Sequence, residues 1–125
     1  MRVSTDNGAT FKSSDYGGAY INSDDIHAEG IGGILIDISG PIDPTSTAGL
    51  SCVLNMQGSG DTDKNTAVTY NSSFEPNATL VVQRTQIGGG VYFANTAVNA
   101  IRFYASTGNL STGTIPVFGI TNHQS

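Results

Sequence analysis

The stretch Asn99-Ala-Ile-Arg-Phe-Tyr-Ala-Ser-Thr-Gly-Asn-Leu-Ser-Thr-Gly-Thr-Ile-Pro-Val-Phe-Gly-Ile-Thr121 reads as a β-hairpin. Side chains alternate along an extended chain, so Ile101 and Phe103 share one face while Ala100, Arg102 and Tyr104 share the other. Gly108-Asn109 and Gly113 supply turn conformations. Thr114, Ile115, Val117, Phe118 and Ile120 then make a returning strand. Pro116 has no N–H to give to a ladder, so that strand is expected at a sheet edge or with a bulge, open to a neighbouring subunit.

The same alternation recurs upstream. In residues 33–39, Ile34, Ile36 and Ile38 alternate with Leu35 and Asp37. In Leu50–Gln57, Leu50, Cys52, Leu54 and Met56 face one way, with Ser51, Val53 and Asn55 opposite. Residues 66–71, 78–85 and 90–95 are further strand candidates. Between them lie turn signals: Gly40-Pro41, Asp43-Pro44, the polar run from Gly58 to Asp63, Glu75-Pro76-Asn77 and Gly88-Gly89-Gly90. Residues 1–25 are polar, with Asp6-Asn7-Gly8 and Tyr16-Gly17-Gly18 as turn signals and room for one short strand at 19–22. The expected architecture is all-β: a β-sandwich or jelly roll of about 7–8 antiparallel strands. Residues 1–25 form an irregular N-terminal arm and residues 26–125 the β-sandwich domain.

Composition agrees with that class. Charged residues make up 12% of the 125, about half of ordinary usage, which leaves too few Glu and Lys to clothe surface helices. The formal net charge is −5, and the five basic residues, Arg2, Lys12, Lys64, Arg84 and Arg102, are scattered. Neither nucleic acid nor an anionic membrane is therefore an expected partner. Cys52 is the lone cysteine, so no intrachain disulfide forms; its place on an apolar strand face predicts a buried core thiol. The polar N-terminal stretch gives no signal-peptide pattern, and the expectation is a cytoplasmic product that does not use the export route.

The candidates for chemistry are weak. His27 and His123 have no metal-ligand spacing, and one cysteine cannot complete a zinc site. Asp61-Thr62-Asp63 runs into Lys64 and lacks both the glycine and the closing glutamate of a calcium loop. Asp24-Asp25 with Glu29 reads likewise as solvated carboxylates. No Gly-x-Ser-x-Gly elbow occurs. The triple glycine does not open a helix, so it is no phosphate loop. The Asn-x-Ser/Thr triplets at Asn71, Asn77 and Asn109 read as chance in an Asn/Ser/Thr-rich chain. The expectation is a non-enzyme with no cofactor and no metal. Arg102 has two readings: an ordinary solvent-facing strand residue, or an intersubunit ion pair or guanidinium stack on Tyr104.

The run Ile101–Tyr104, then Ser106 to Gly113, then Phe118-Gly119-Ile120 resembles a closing hairpin of tailed-bacteriophage structural proteins, both small β-sandwich head proteins and tail-fibre or tailspike pieces. It covers about a fifth of the chain. The resemblance implies a virion protein. Lacking a long shaft or catalytic β-helix, the chain looks like a capsid decoration, or cement, protein. Such proteins sit on the outer head, commonly as homotrimers, and bridge major capsid protein subunits. The candidate intersubunit contacts are Arg102, Tyr104, Pro116 and Phe118. The alternative is a glycan- or receptor-binding module of a tail fibre or tailspike, with Tyr16, Tyr20, Tyr70, Tyr92 and Tyr104 as stacking surfaces for a host surface glycan. An enzyme such as a small hydrolase would need a histidine and a carboxylate together in a deep pocket.

Overall fold

A computed structural model of the chain describes residues 1–22, 26–29, 50–74, 84–104 and 113–119. These contain seven strands: β1 (Arg2–Ser4), β2 (Tyr16–Asn22), β3 (Ile26–Glu29), β4 (Leu50–Gln57), β5 (Thr66–Phe74), β6 (Arg84–Tyr92) and β7 (Ala100–Arg102). They form a five-stranded antiparallel sheet in the order β3-β2-β6-β5-β4 and a two-stranded antiparallel sheet, β1-β7. The protein is all-β, and its two sheets share one core as a small β-sandwich.

Alternation along β5 sets the inner face of the large sheet: Thr66, Val68, Tyr70, Ser72 and Phe74 are buried. Antiparallel register carries that face to the neighbouring strands. Tyr16 of β2 lies opposite Tyr92 of β6, and Tyr92 lies opposite Thr66. Two residues along, the row is Gly18, Gly90, Val68 and Met56. The next row is Tyr20, Gly88, Tyr70 and Leu54. Along the inner face of β2 the residues thus run large, small, large, and in the third row Gly88 separates two tyrosines. A β-carbon placed on Gly88 would stand 2.6 Å from the Tyr70 hydroxyl and 2.7 Å from Cβ of Tyr20, so the absent side chain is the space those tyrosines occupy. The triple glycine, expected to interrupt two strands, instead lies within β6 for this reason.

The core joins Met1, Val3, Tyr16, Tyr20, Val68, Tyr70, Tyr92 and Val98. A buried phenol needs a hydrogen-bond partner. The Tyr16 hydroxyl accepts from the Val3 N–H at 2.9 Å, tying the small sheet to the large one. Tyr70 accepts from Nε2 of the fully buried Gln86. Thr66 is equally buried, and its Oγ1 has no hydrogen-bond partner among the described residues. Thr66→Val, which removes a desolvated hydroxyl at nearly constant volume, is expected to raise unfolding free energy by about 1 kcal/mol. Urea denaturation checks the sign.

The N-terminal segment departs from the irregular arm expected of residues 1–25. It contributes β1 and β2, and Met1, Val3, Tyr16 and Tyr20 belong to the core. Tyr16-Gly17-Gly18, read as a turn, is the start of β2. Its glycines concealed the strand because they stand where residues on an ordinary strand carry side chains. Gly17 makes room for the ring of Phe93, and Gly18 for the backbone of Gly89. Asp6-Asn7-Gly8 does turn the chain, with φ of 58° at Asn7 and 84° at Gly8. Here the N–H groups of Asp6 and Gly8 donate to Oγ of the buried Ser4, which donates to Asp6 Oδ1 at 2.6 Å. Thr10 donates to both carboxylate oxygens.

These bonds, Ser4 first and Thr10 next, hold the Asp6 carboxyl far below the usual carboxylate range. A depressed folded pKa contributes stability above the unfolded value of about 4, and that contribution is lost as pH falls. Asp6→Asn is therefore expected to lower stability at pH 7 and to flatten the acid limb of the stability curve. Urea midpoints at pH 7, and again below the unfolded value of about 4, check it. Equal slopes in the two proteins would refute it.

The C-terminal hairpin also departs from expectation. Ala100–Arg102 pairs with Arg2–Ser4, from the other end of the chain, in the register Arg2–Arg102, Val3–Ile101 and Ser4–Ala100. Val3 and Ile101 pack into the core, and that burial selects the distant partner. Residues 113–119 carry no strand and are exposed throughout. The expected turn at Gly108-Asn109 and the C-terminal end of the returning strand, 120–121, lie outside the described residues. So do the strand expected at 33–39, most of that at 78–85, and the turn signals at 40–44 and 75–77.

Candidate functional site

Three surface features are built by this frame. The first is a cluster on the outer face of the small sheet. Arg2 and Arg102 are direct cross-strand partners, an arrangement that like charges make unfavourable. Aromatic faces offset it. Cζ of Arg102 lies 4.5 Å from the ring centre of Phe11 and 5.4 Å from that of Tyr104, and Cζ of Arg2 lies 5.2 Å from Tyr104. Both readings of Arg102 meet here: it is exposed on the strand, and its guanidinium lies over Tyr104 of the same chain. Arg2 and Phe11, not singled out in the sequence, complete the cluster. The β1-β7 ladder reveals Arg2, and β1 was not expected; Phe11 comes from the stretch between β1 and β2.

The second feature is the segment from Gly113 to Gly119. Pro116 and Phe118 lie here, as do Ile115 and Val117, and all are exposed; Val117 is 78% and Phe118 84% exposed. Pro116 takes part in no ladder. Of the four candidate contact residues, Arg102 and Tyr104 are brought together, whereas Pro116 and Phe118 stand on this separate segment.

The third is the outer face of the five-stranded sheet. Its residues from β2, β4, β5 and β6 include no Asp, Glu, Lys or Arg among those whose side chains are described. Ile21, Ile87, Asn71 and Val53 form one row across the four strands, and Ala19, Gly89, Thr69 and Asn55 the next. Ile21, Ile87 and Val53 stand above the smaller residues of the next row and line an open groove of about 590 Å³. Ile21 is 57% exposed, Ile87 59% and Val53 67%. Strand alternation marks Val53 as outward-facing, but the groove needs β2 beside β6 beside β5, an order that no local pattern carries.

The remaining candidates fall as follows. Cys52 is exposed, against the expectation of a buried thiol, on β4, the last strand of the sheet among the described residues. Asp61 binds Lys64 at 3.2 Å and accepts from the Asp63 N–H at 2.8 Å, as a solvated loop does. Tyr16, Tyr20, Tyr70 and Tyr92 are all buried, which leaves Tyr104 alone of the five proposed stacking surfaces. Asn71 is exposed on β5. The side chain of His27, together with His123, Asp24, Asp25, Asn77 and Asn109, lies outside what is described. Among the described residues no three His, Cys, Asp or Glu side chains gather as metal ligands do, and no helix is long and apolar enough to cross a membrane. Comparison with known proteins finds no match to any family model, curated protein or solved structure.

Proposed function

We propose that this chain is a virion structural protein, a capsid decoration protein that binds the outer head of a tailed bacteriophage and stabilises contacts between major capsid subunits. One observation carries the reading best. The molecule offers contact surfaces, namely an uncharged sheet face and an exposed apolar segment at Ile115–Phe118. Both are of the kind that marks a site of protein–protein association. The resemblance of the terminal segment to phage structural hairpins supplies the particle. Action is then by binding alone. Each contact made only in the assembled shell adds free energy against its expansion or rupture. A symmetric shell favours a closed ring of protomers, here a homotrimer.

The glycan-binding alternative drew on five tyrosines, and burial of four of them removes most of that support. Electron cryo-microscopy of the virus particles made by the encoding genome tests the proposal. Density for this chain on the outer head is the expected result. Its presence only on the tail, or its absence from the particle, overturns the reading.

A further inference from the structure

The groove and the exposed segment match each other. The groove crosses β2, β6, β5 and β4, and three strand spacings of about 4.8 Å span about 14 Å. Ile115–Phe118, extended at about 3.3 Å per residue, spans about 10 Å between its end Cα atoms and so fits within that width. The ridge of Ile21, Ile87 and Val53 is apolar, as are the side chains of the segment. Asn55 and Thr69 in the neighbouring row, and Asn71 within the ridge row, add polar groups to the lining. Carboxamides and hydroxyls both donate and accept, so they suit the bare N–H and C=O groups of an extended chain. Pro116 removes one N–H that would otherwise need a partner. Neither surface is charged, which matters in a chain of net charge −5, whose copies repel one another. A charge-free contact is where two copies meet with least opposition.

We infer that Ile115–Phe118 of one copy lies across the outer sheet face of a second copy, in the groove between Ile21, Ile87 and Val53 and the row of Ala19, Thr69 and Asn55. The contact joins two different patches. It therefore builds a reciprocal pair, a ring in which each copy serves the next, or an open filament where the rotation does not close. The inference concerns copies of this chain alone and stands separately from the capsid reading.

Sedimentation velocity of the full chain tests it. The native protein is expected to sediment as a multiple of its 12.9 kDa mass. Val117→Asp on the segment and Ile87→Asp on the groove are each expected to give monomers with unchanged β-sheet circular dichroism, since both positions are exposed. Mixing the two variants restores one intact segment and one intact groove, and is expected to return a dimer. A monomeric native protein, variants that keep the native mass, or a mixture that stays monomeric would each overturn the inference. A second measurement guards against misfolding of the aspartate variants. In a Cys52→Ser background, Thr69→Cys with Val117→Cys is expected to form disulfides between chains under oxidation. A disulfide closed within one chain would show that the segment serves its own groove, and would overturn the inference too.

Discussion

Gly88→Ala is expected to lower the unfolding free energy by about 3 kcal/mol and the melting temperature by about 10 °C, the upper range for overpacking a well-filled core. Backbone conformation is not the cause, because Gly88 is not among the glycines with positive φ. The cause is volume. The new methyl would stand 2.6 Å from the Tyr70 hydroxyl, 2.7 Å from Cζ of the same ring and 2.7 Å from Cβ of Tyr20. Cβ of Tyr20 is fixed by its own strand and cannot swing aside. The Tyr70 ring is held by its bond from Gln86, so moving it also breaks a buried hydrogen bond. Tyr70→Phe in the same chain removes only the nearest of the three atoms, so it should not restore the loss. Gly60→Ala is the control: its β-carbon would meet nothing within 4 Å, and stability should be unchanged or slightly higher. Thermal unfolding of the three variants checks the set. Equal melting temperatures for Gly88→Ala and Gly60→Ala would mean that the Tyr20–Gly88–Tyr70 row is not close-packed.

The same row explains what could be read in the sequence. Leu50–Gln57 is legible to the residue, because β4 has a side chain at every position and turn signals at its end. The start of β5 at Thr66 is equally plain. β2 and β6 are not, because their glycines replace the inner-face residues that alternation depends on. Gly18 and Gly90 are direct partners, and Gly88 stands between two tyrosines. Each glycine is interpretable only with its neighbour strand in place, and alone it signals a turn. The terminal hairpin fails for a related reason. Local alternation assigns the faces of Ile101, Arg102, Phe103 and Tyr104 correctly, with Ile101 and Phe103 against the core. The pairing partner depends on burial of Val3 against Ile101, a contact between opposite ends of the chain.

The candidate surfaces divide along the same line. The stack of Arg102 on Tyr104 joins residues two apart in sequence. The Arg2–Arg102 pair and the uncharged groove exist only once distant strands are side by side. A chain rich in Gly, Ser, Thr and Asn makes such surfaces hard to foresee, since the same residues populate both its loops and its sheet faces.

Tyr16 is the second position where one substitution should be decisive, and it separates two kinds of loss. Its ring lies 5.2 Å from that of Tyr92, tilted by 42°, and is 5% exposed. Burial raises the phenol pKa, so the group stays neutral and keeps its proton to donate to the Lys12 carbonyl at 3.3 Å. Tyr16→Phe preserves the ring but strands the Val3 N–H without an acceptor in a fully buried place, an expected loss of about 2 kcal/mol. Tyr16→Ala also opens a cavity, for about 4 kcal/mol in all. The two variants differ in where the loss falls. Tyr16→Phe acts on the tie between β1 and the large sheet, so amide exchange at Val3 should quicken far more than at Tyr70 in β5. Tyr16→Ala empties a core position shared with Tyr92 and should quicken both. If Val3 stays as protected as in the native chain when Tyr16 becomes Phe, the hydroxyl is not what holds the sheets together. If Val3 alone is released, the small sheet is a separable unit. The placement of Arg102 would then depend on that hydrogen bond as well as on the packing of Val3 and Ile101.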